Sequence, residues 1–219
     1  MSDPTAAFAE RLAVSLVLPL WMAAGTADYA LHRRSRIEAT SGLVEARLHA
    51  LGIVLSTPPV LAALTLEIDA GVLALLGVGY VAHGAMTIVD IAYADGRRRI
   101  VPLEQHVHAL LELLPLTALA LVGVAHREQL GALVGGGTVT PRLGFRRKQT
   151  PLSDRTLAGF ACAFALAVAL PYVEEYLRCL RYARERTVFH PNPPRQHRAV
   201  KHREDERVPC EAERETRAR

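Results

Sequence analysis

The chain has 219 residues, half of them hydrophobic but only about one in twenty aromatic, and a formal charge of +4. This length suits one compact domain. The modest charge sits at the ends of apolar blocks, where membrane topology and anionic lipid account for it, so it gives no ground for a nucleic-acid partner. Cys162, Cys179 and Cys210 have no paired spacing, so neither a disulfide framework nor a zinc knuckle is implied.

The apolar residues form long blocks of Leu, Ala, Val and Gly that are hydrophobic on every face. Such blocks argue against a soluble helical bundle and for membrane-spanning helices, since a hydrocarbon core of roughly 30 Å needs about 20 apolar residues. Five spans are predicted in an all-α, polytopic membrane bundle. The first runs from Phe8 to Asp28 and lacks the basic n-region of a signal peptide. The second runs from His49 to Ile68, the third from Ala70 to Asp90, the fourth from Val107 to Ala125 and the fifth from Leu157 to Tyr176. Their apolar stretches are slightly short, so the helices are expected to continue past the lipid at one end. Pro58, Pro59, Pro115 and Pro171 are read as helix bends. The segment 126–155 contains its own apolar piece, "LGALVGGG", expected on the membrane surface or folded back over the mouth of the bundle.

Arginine sets the orientation. "HRRSR" follows the first span, "DGRRR" the third and "RCLRYARER" the fifth, whereas "LEIDAG" between the second and third has no Lys or Arg. The positive-inside rule then places the N-terminus outside and the basic ends in the cytoplasm; "RLGFRRK" after the fourth span runs against this. Lys148 and Lys201 are the only lysines, a bias typical of GC-rich bacterial genomes, and the expected location is a bacterial inner membrane. Residues 1–184 form the predicted transmembrane domain, with the fifth helix at about 155–184. Residues 185–219 read as a charged, Pro-interrupted and disordered cytoplasmic tail, where His190, His197 and His202 bind nothing specific.

An internal repeat lies across the first four spans. "LVEARLHAL" (43–51) and "PLEQHVHAL" (102–110) both carry Glu-x-x-x-His-Ala-Leu, each after a basic turn ending in Arg-Ile. Before each turn an apolar span ends in an acid, Asp28 or Asp90. Repeat one (about 8–68) and repeat two (about 70–126) thus read as two helical hairpins. Residues four apart share a helix face, so Glu45 and His49 can approach one ion, as can Glu104 and His108, and Asp28 and His32. Alternating spans bring Asp28, His32, Glu45, His49, Asp90, Glu104 and His108 to one depth, and these seven are the expected metal ligands. Glu38, His83, His106, Glu112, Glu174 and Glu175 are outer candidates. His106 points away from the Glu104–His108 line, Glu38 has Arg34 and Arg36 as neighbours, and Glu112 could pair with His83 or Glu174. Tyr172 and the other tyrosines are read as interface anchors or core.

Charged carboxylates are costly inside a membrane bundle unless something neutralises them. Carboxylate plus imidazole, without thiolate, suits iron, manganese or zinc. Paired Glu and His residues on facing helices recur in di-iron carboxylate bundles, and on these residues the chain resembles integral-membrane non-haem di-iron proteins as a class. Here the spacing is one residue longer, Glu-x-x-x-His, and two Asp residues replace two Glu. The His-x-x-x-His and His-x-x-His-His boxes of membrane desaturases and fatty-acid hydroxylases are not in this sequence. The resemblance implies two metal ions, iron first, and an enzyme that oxidises or hydroxylates a lipophilic substrate from the bilayer with oxygen, supplied by an electron donor and forming a homo-oligomer or membrane complex. Two other functions are weighed beside it. Histidines on facing helices could ligate haem b in a quinone-linked electron carrier. Buried acids and histidines also line divalent-metal or proton transporters, although only Ser56, Thr57, Thr65 and Thr117 continue the polar line beyond His83.

Overall fold

A computed structural model describes residues 4–136 and 139–189. Among them the regular structure is helical, with a single isolated bridge between Leu66 and Arg147. Five helices are long and apolar enough to cross a membrane: α1 (Pro4–Ser35), α2 (Gly42–Thr65), α3 (Ala70–Asp95), α4 (Pro102–Ala125) and, after the short α5 (Arg127–Leu133), α6 (Asp154–Thr187). They carry Val54, Leu61, Val81, Ile88, Leu113 and Leu166 outward. A soluble protein would not leave so much apolar surface in contact with water. Residues up to Arg184 form one unit. The tail expected to be disordered from 185 is instead helical through Phe189, as a continuation of α6; from 190 onward it lies outside the described residues.

Each spanning helix runs past its apolar stretch at the end that bears the acids. α1 continues through His32, Arg33 and Arg34, cations suited to the negative end of a helix dipole. It stops where Arg36 turns left-handed, with φ 52°. α4 starts on Pro102 after an extended Val101, since proline fits the first helical turn and disfavours helix just before it. Ser153 caps α6 by accepting from the Thr156 N–H. A π-helical turn interrupts α1 at Ala13–Val17 and α6 at Ala165–Ala169. Each is followed within two residues by a proline, Pro19 or Pro171. Pro171 has no N–H to offer the carbonyl of Ala167, and Thr26 Oγ1 donates to that carbonyl instead, at 2.8 Å. This joins α6 to α1.

The helices do not pack as the two expected hairpins. The main contacts run between α2 and α3 and between α1 and α4. Exchanging the two repeats converts one of these contacts into the other, so the bundle is interlocked across the repeat boundary. Glycine permits the α2–α3 approach. A Cβ on Gly79 would stand 2.3 Å from Pro59 Cγ, and small residues in this role are general in membrane bundles.

The segment after α5 folds back, but at the end opposite the acids. It lies on the α2–α3 turn, where Glu67 N–H donates to Arg146 O at 2.8 Å and Gly71 N–H to Arg142 O at 3.0 Å. Arg146 donates to Asp69 at 2.8 Å. These bonds bind the arginines that ran against the positive-inside pattern.

Candidate metal centre

Beneath the polar end of the bundle, α1 supplies Asp28 and His32, α2 supplies Glu45 and His49, α3 supplies Asp90, and α4 supplies Glu104 and His108. All seven are buried. The repeats contribute crosswise. His108 Nε2 lies 3.1 Å from Asp28 Oδ1, and His49 Nε2 lies 3.2 Å from Asp90 Oδ2. Each Asp therefore meets the histidine of the other repeat.

His32 stands between these pairs. Its Nε2 is 3.4 Å from Asp28 Oδ1, 3.5 Å from Glu104 Oε1 and 4.0 Å from Glu45 Oε1. Its ring stacks on that of His49, with centroids 4.5 Å apart and planes within 3°. Both rings are held from behind by Glu175, whose Oε1 is 2.6 Å from His49 Nδ1 and whose Oε2 is 3.2 Å from His32 Nδ1. An ionised carboxylate only accepts, so both Nδ1 atoms carry the proton. In neutral rings the Nε2 lone pairs then point into the cluster, which is how a second-shell carboxylate prepares a metal-binding histidine.

Three atoms of these side chains, Asp28 Oδ1, His32 Nε2 and Asp90 Oδ1, are buried and make no hydrogen bond among the described residues. Buried polar atoms seldom go unsatisfied, and here acceptor faces acceptor across a few ångströms unless a proton or a cation lies between them. Two groups have ligand atoms within 4.8 Å of one another around this space: Asp28, His32 and His108, and Glu45, His49 and Asp90. The group of His32, His49 and Glu175 meets the same limit, but its carboxylate sits on the Nδ1 side, in the supporting position.

No family model, curated protein or solved structure matches this chain. The chemistry of the site therefore rests on its own residues.

Two of those residues were not foreseen as part of the site. Arg98, in the turn between α3 and α4, reaches in with Nη2 at 2.5 Å from Glu45 Oε1 and 2.5 Å from Glu104 Oε1. Burial opposes its charge, but these hydrogen bonds outweigh burial and hold the guanidinium pKa above its ordinary value. Tyr172 is buried and donates to Asp28 Oδ2 at 2.9 Å, so it belongs to the site and is not only an interface anchor. The buried residues Val168, Tyr172, Glu175 and Cys179 follow a 4-3-4 spacing along α6, a signal that could have selected Tyr172 and separated Glu175 from Glu174. Nothing comparable distinguishes Arg98 from Arg97 and Arg99.

The other outer candidates lie apart. α2 begins only at Gly42, so Glu38 does not continue its face. It pairs with Arg178 and, at 3.7 Å, with Arg36. Glu174 faces outward to Arg33 at 2.6 Å and Tyr29 at 2.8 Å. His106 is exposed, its Nδ1 2.8 Å from Pro102 O. Glu112 is half-buried and pairs with neither His83 nor Glu174 among the described residues. His83 lies deeper, edge-on to Trp21 at 6.2 Å. It lines, with Asp28, His49, Asp90 and His108, a cavity of about 550 Å³.

Proposed function

We propose that the chain is a membrane-bound di-metal oxidoreductase, with iron the first choice and manganese or zinc as substitutes, that oxidises or hydroxylates a lipophilic substrate with oxygen. It would sit in a bacterial inner membrane with the metal centre toward the cytoplasm and the N-terminus outside. The observation that carries this reading is the pair of crossed Asp–His contacts, set in a buried group of five carboxylates with one guanidinium. Two divalent cations beside Arg98 would neutralise Asp28, Glu45, Asp90, Glu104 and Glu175 with the histidines uncharged. Such neutrality matters where the dielectric is low.

Asp28, His32, His108 and Glu104 would hold one ion, and Asp90, His49 and Glu45 the other. The bound metals would supply the electron transfer and oxygen chemistry. Glu175 keeps two imidazoles parallel and their Nε2 atoms inward. Arg98 fixes the spacing of Glu45 and Glu104. Tyr172 occupies one oxygen of Asp28 and leaves the other toward the centre. The cavity beside the cluster is walled mostly by apolar side chains such as Leu18, Ile53, Leu64 and Phe164, which keep water out and suit a lipophilic substrate.

Neither alternative draws the same support. A haem would need axial imidazoles with a free nitrogen, from His49 and His108 or from His32 and His83, whereas the Nε2 atoms of His49, His108 and His32 each stand against a carboxylate, Asp90 at 3.2 Å, Asp28 at 3.1 Å and Asp28 at 3.4 Å. On the line an ion pathway would take beyond His83, the hydroxyls of Ser56, Thr57, Thr65 and Thr117 donate to the carbonyl four residues earlier in their own helices, and Glu10, which lines the far cavity with Arg11 and Lys148, pairs with His126 at 2.7 Å.

The test is metal analysis of detergent-purified protein beside a variant with His49→Ala and His108→Ala, with helix content followed by circular dichroism. Two iron or manganese ions per chain, lost in a variant of unchanged helicity, are expected. No stoichiometric metal after reconstitution with iron(II), manganese(II) or zinc(II) would overturn the reading.

A further inference from the structure

The cavity at the cluster does not end at mid-membrane. A second cavity, of about 490 Å³, lies along the bundle axis beyond it. Leu18, Trp21, Ser56, Val60, Leu64 and His83 line both. The two spaces thus meet around the edge-on Trp21–His83 pair, and the walls of the deeper one are again chiefly apolar.

The depth of this passage follows from helix geometry. On α3 its lining runs from Asp90 to Leu76, and on α4 from His108 to Val122. Fourteen residues at about 1.5 Å each give about 21 Å. That exceeds half of a hydrocarbon core of roughly 30 Å, so the passage is deeper than one leaflet. A staggered hydrocarbon chain advances about 1.3 Å per carbon, and about sixteen carbons fill it.

We infer that the passage holds a single, unbranched alkyl chain of about sixteen carbons, its polar end at the Asp28–His108 side of the cluster and its tail beyond Trp21. This rests on the proposed function for its chemistry and names the substrate class of that site. A long-chain neutral amphiphile fits better than an anionic one before metal is bound, because two carboxylates, Asp28 and Asp90, line the inner end. Entry lies between α2 and the first half of α6. There Leu157, Phe160 and Ala161 line the cavity, while the closest packing of α6 on α1 is at its π-helical turn.

Trp21 is the only tryptophan in the chain, so its fluorescence reports on this passage alone. It lies seven residues before Asp28, about 10 Å toward the far side, level with about the eighth carbon of a bound chain. The probes are hexadecan-1-ols dibrominated at carbons 2 and 3, at carbons 8 and 9, or at carbons 14 and 15, added to metal-free protein in detergent. Saturable quenching at one equivalent is expected, strongest for the middle pair. Ala118 lines only the deeper cavity. Ala118→Phe is expected to weaken binding of the sixteen-carbon alcohol more than tenfold and leave a ten-carbon alcohol within twofold, and Ala118→Leu should lie between them.

Quenching that does not saturate, or that ignores bromine position, would overturn the inference, as would equal affinities in the wild type and both variants. Because the probe reads metal-free protein, the two ideas separate. Metal without saturable quenching removes the alkyl site and leaves the metal centre. Saturable, position-dependent quenching without metal does the reverse.

Discussion

Arg98 gives the sharpest test of how the acids are held. Its side chain is 3% exposed, and those of Glu45 and Glu104 are 0% and 1% exposed. Arg98→Met keeps most of the side-chain length but leaves two carboxylates facing each other with no guanidinium. Breaking a buried ion pair by removing one partner costs about 3–5 kcal/mol. For a chain of this size that corresponds to a fall in melting temperature of about 6–20 °C. The assay is thermal unfolding in detergent of metal-free protein, repeated with manganese(II) at saturation. Metal binding alone stabilises the wild type by about 2.7 kcal/mol at a hundred times its dissociation constant. The variant should gain more than this, because the ions also relieve the repulsion that the substitution exposes. A loss below about 1 kcal/mol without metal, or a metal-induced gain no larger than that of the wild type, would refute the assignment of Arg98 as the internal counter-ion.

The two neighbouring glutamates of α6 should behave differently. In Glu175→Gln one amide cannot accept from both imidazole N–H groups, and metal affinity is expected to fall about 10–100-fold, measured by competition with a chelator. Glu174→Gln should leave that affinity unchanged and cost at most about 1 kcal/mol, as for other exposed ion pairs. On α3, Gly79→Ala drives a methyl group into Pro59 and should cost about 1–3 kcal/mol in thermal unfolding. Gly84→Ala, inside the same helix and with an added carbon that meets nothing within 4 Å, should instead stabilise by about 0.5–1 kcal/mol.

The helices were legible because a bilayer imposes one length on anything that crosses it, and the Glu-x-x-x-His and Asp-x-x-x-His spacings were legible because a helix repeats every 3.6 residues. Both are local rules. How the elements pair is not local. Nothing within "LVEARLHAL" says that His49 will meet Asp90 and not Asp28, since that depends on which helices pack. Arg97, Arg98 and Arg99 are chemically identical, and the turn after Asp95 alone decides among them. Arg97 lies over the Tyr93 ring at 3.6 Å, Arg98 turns inward and Arg99 remains exposed. Glu38 shows the same limit. It stands seven residues before Glu45, a distance that puts both on one face only if one helix joins them, and the left-handed Arg36 and the positive φ of Gly42 show a turn there instead.

The crossed Asp–His contacts bear on ancestry. A lone two-helix polypeptide bearing one terminal aspartate and one Glu-x-x-x-His could close neither contact within itself, because its aspartate and histidine belong to opposite partnerships. Only a twin of itself would satisfy both. The first four helices thus have the logic of a homodimer whose subunits are joined through the turn Leu66–Asp69, and α6, which has no twin, is the part that makes the two halves unequal.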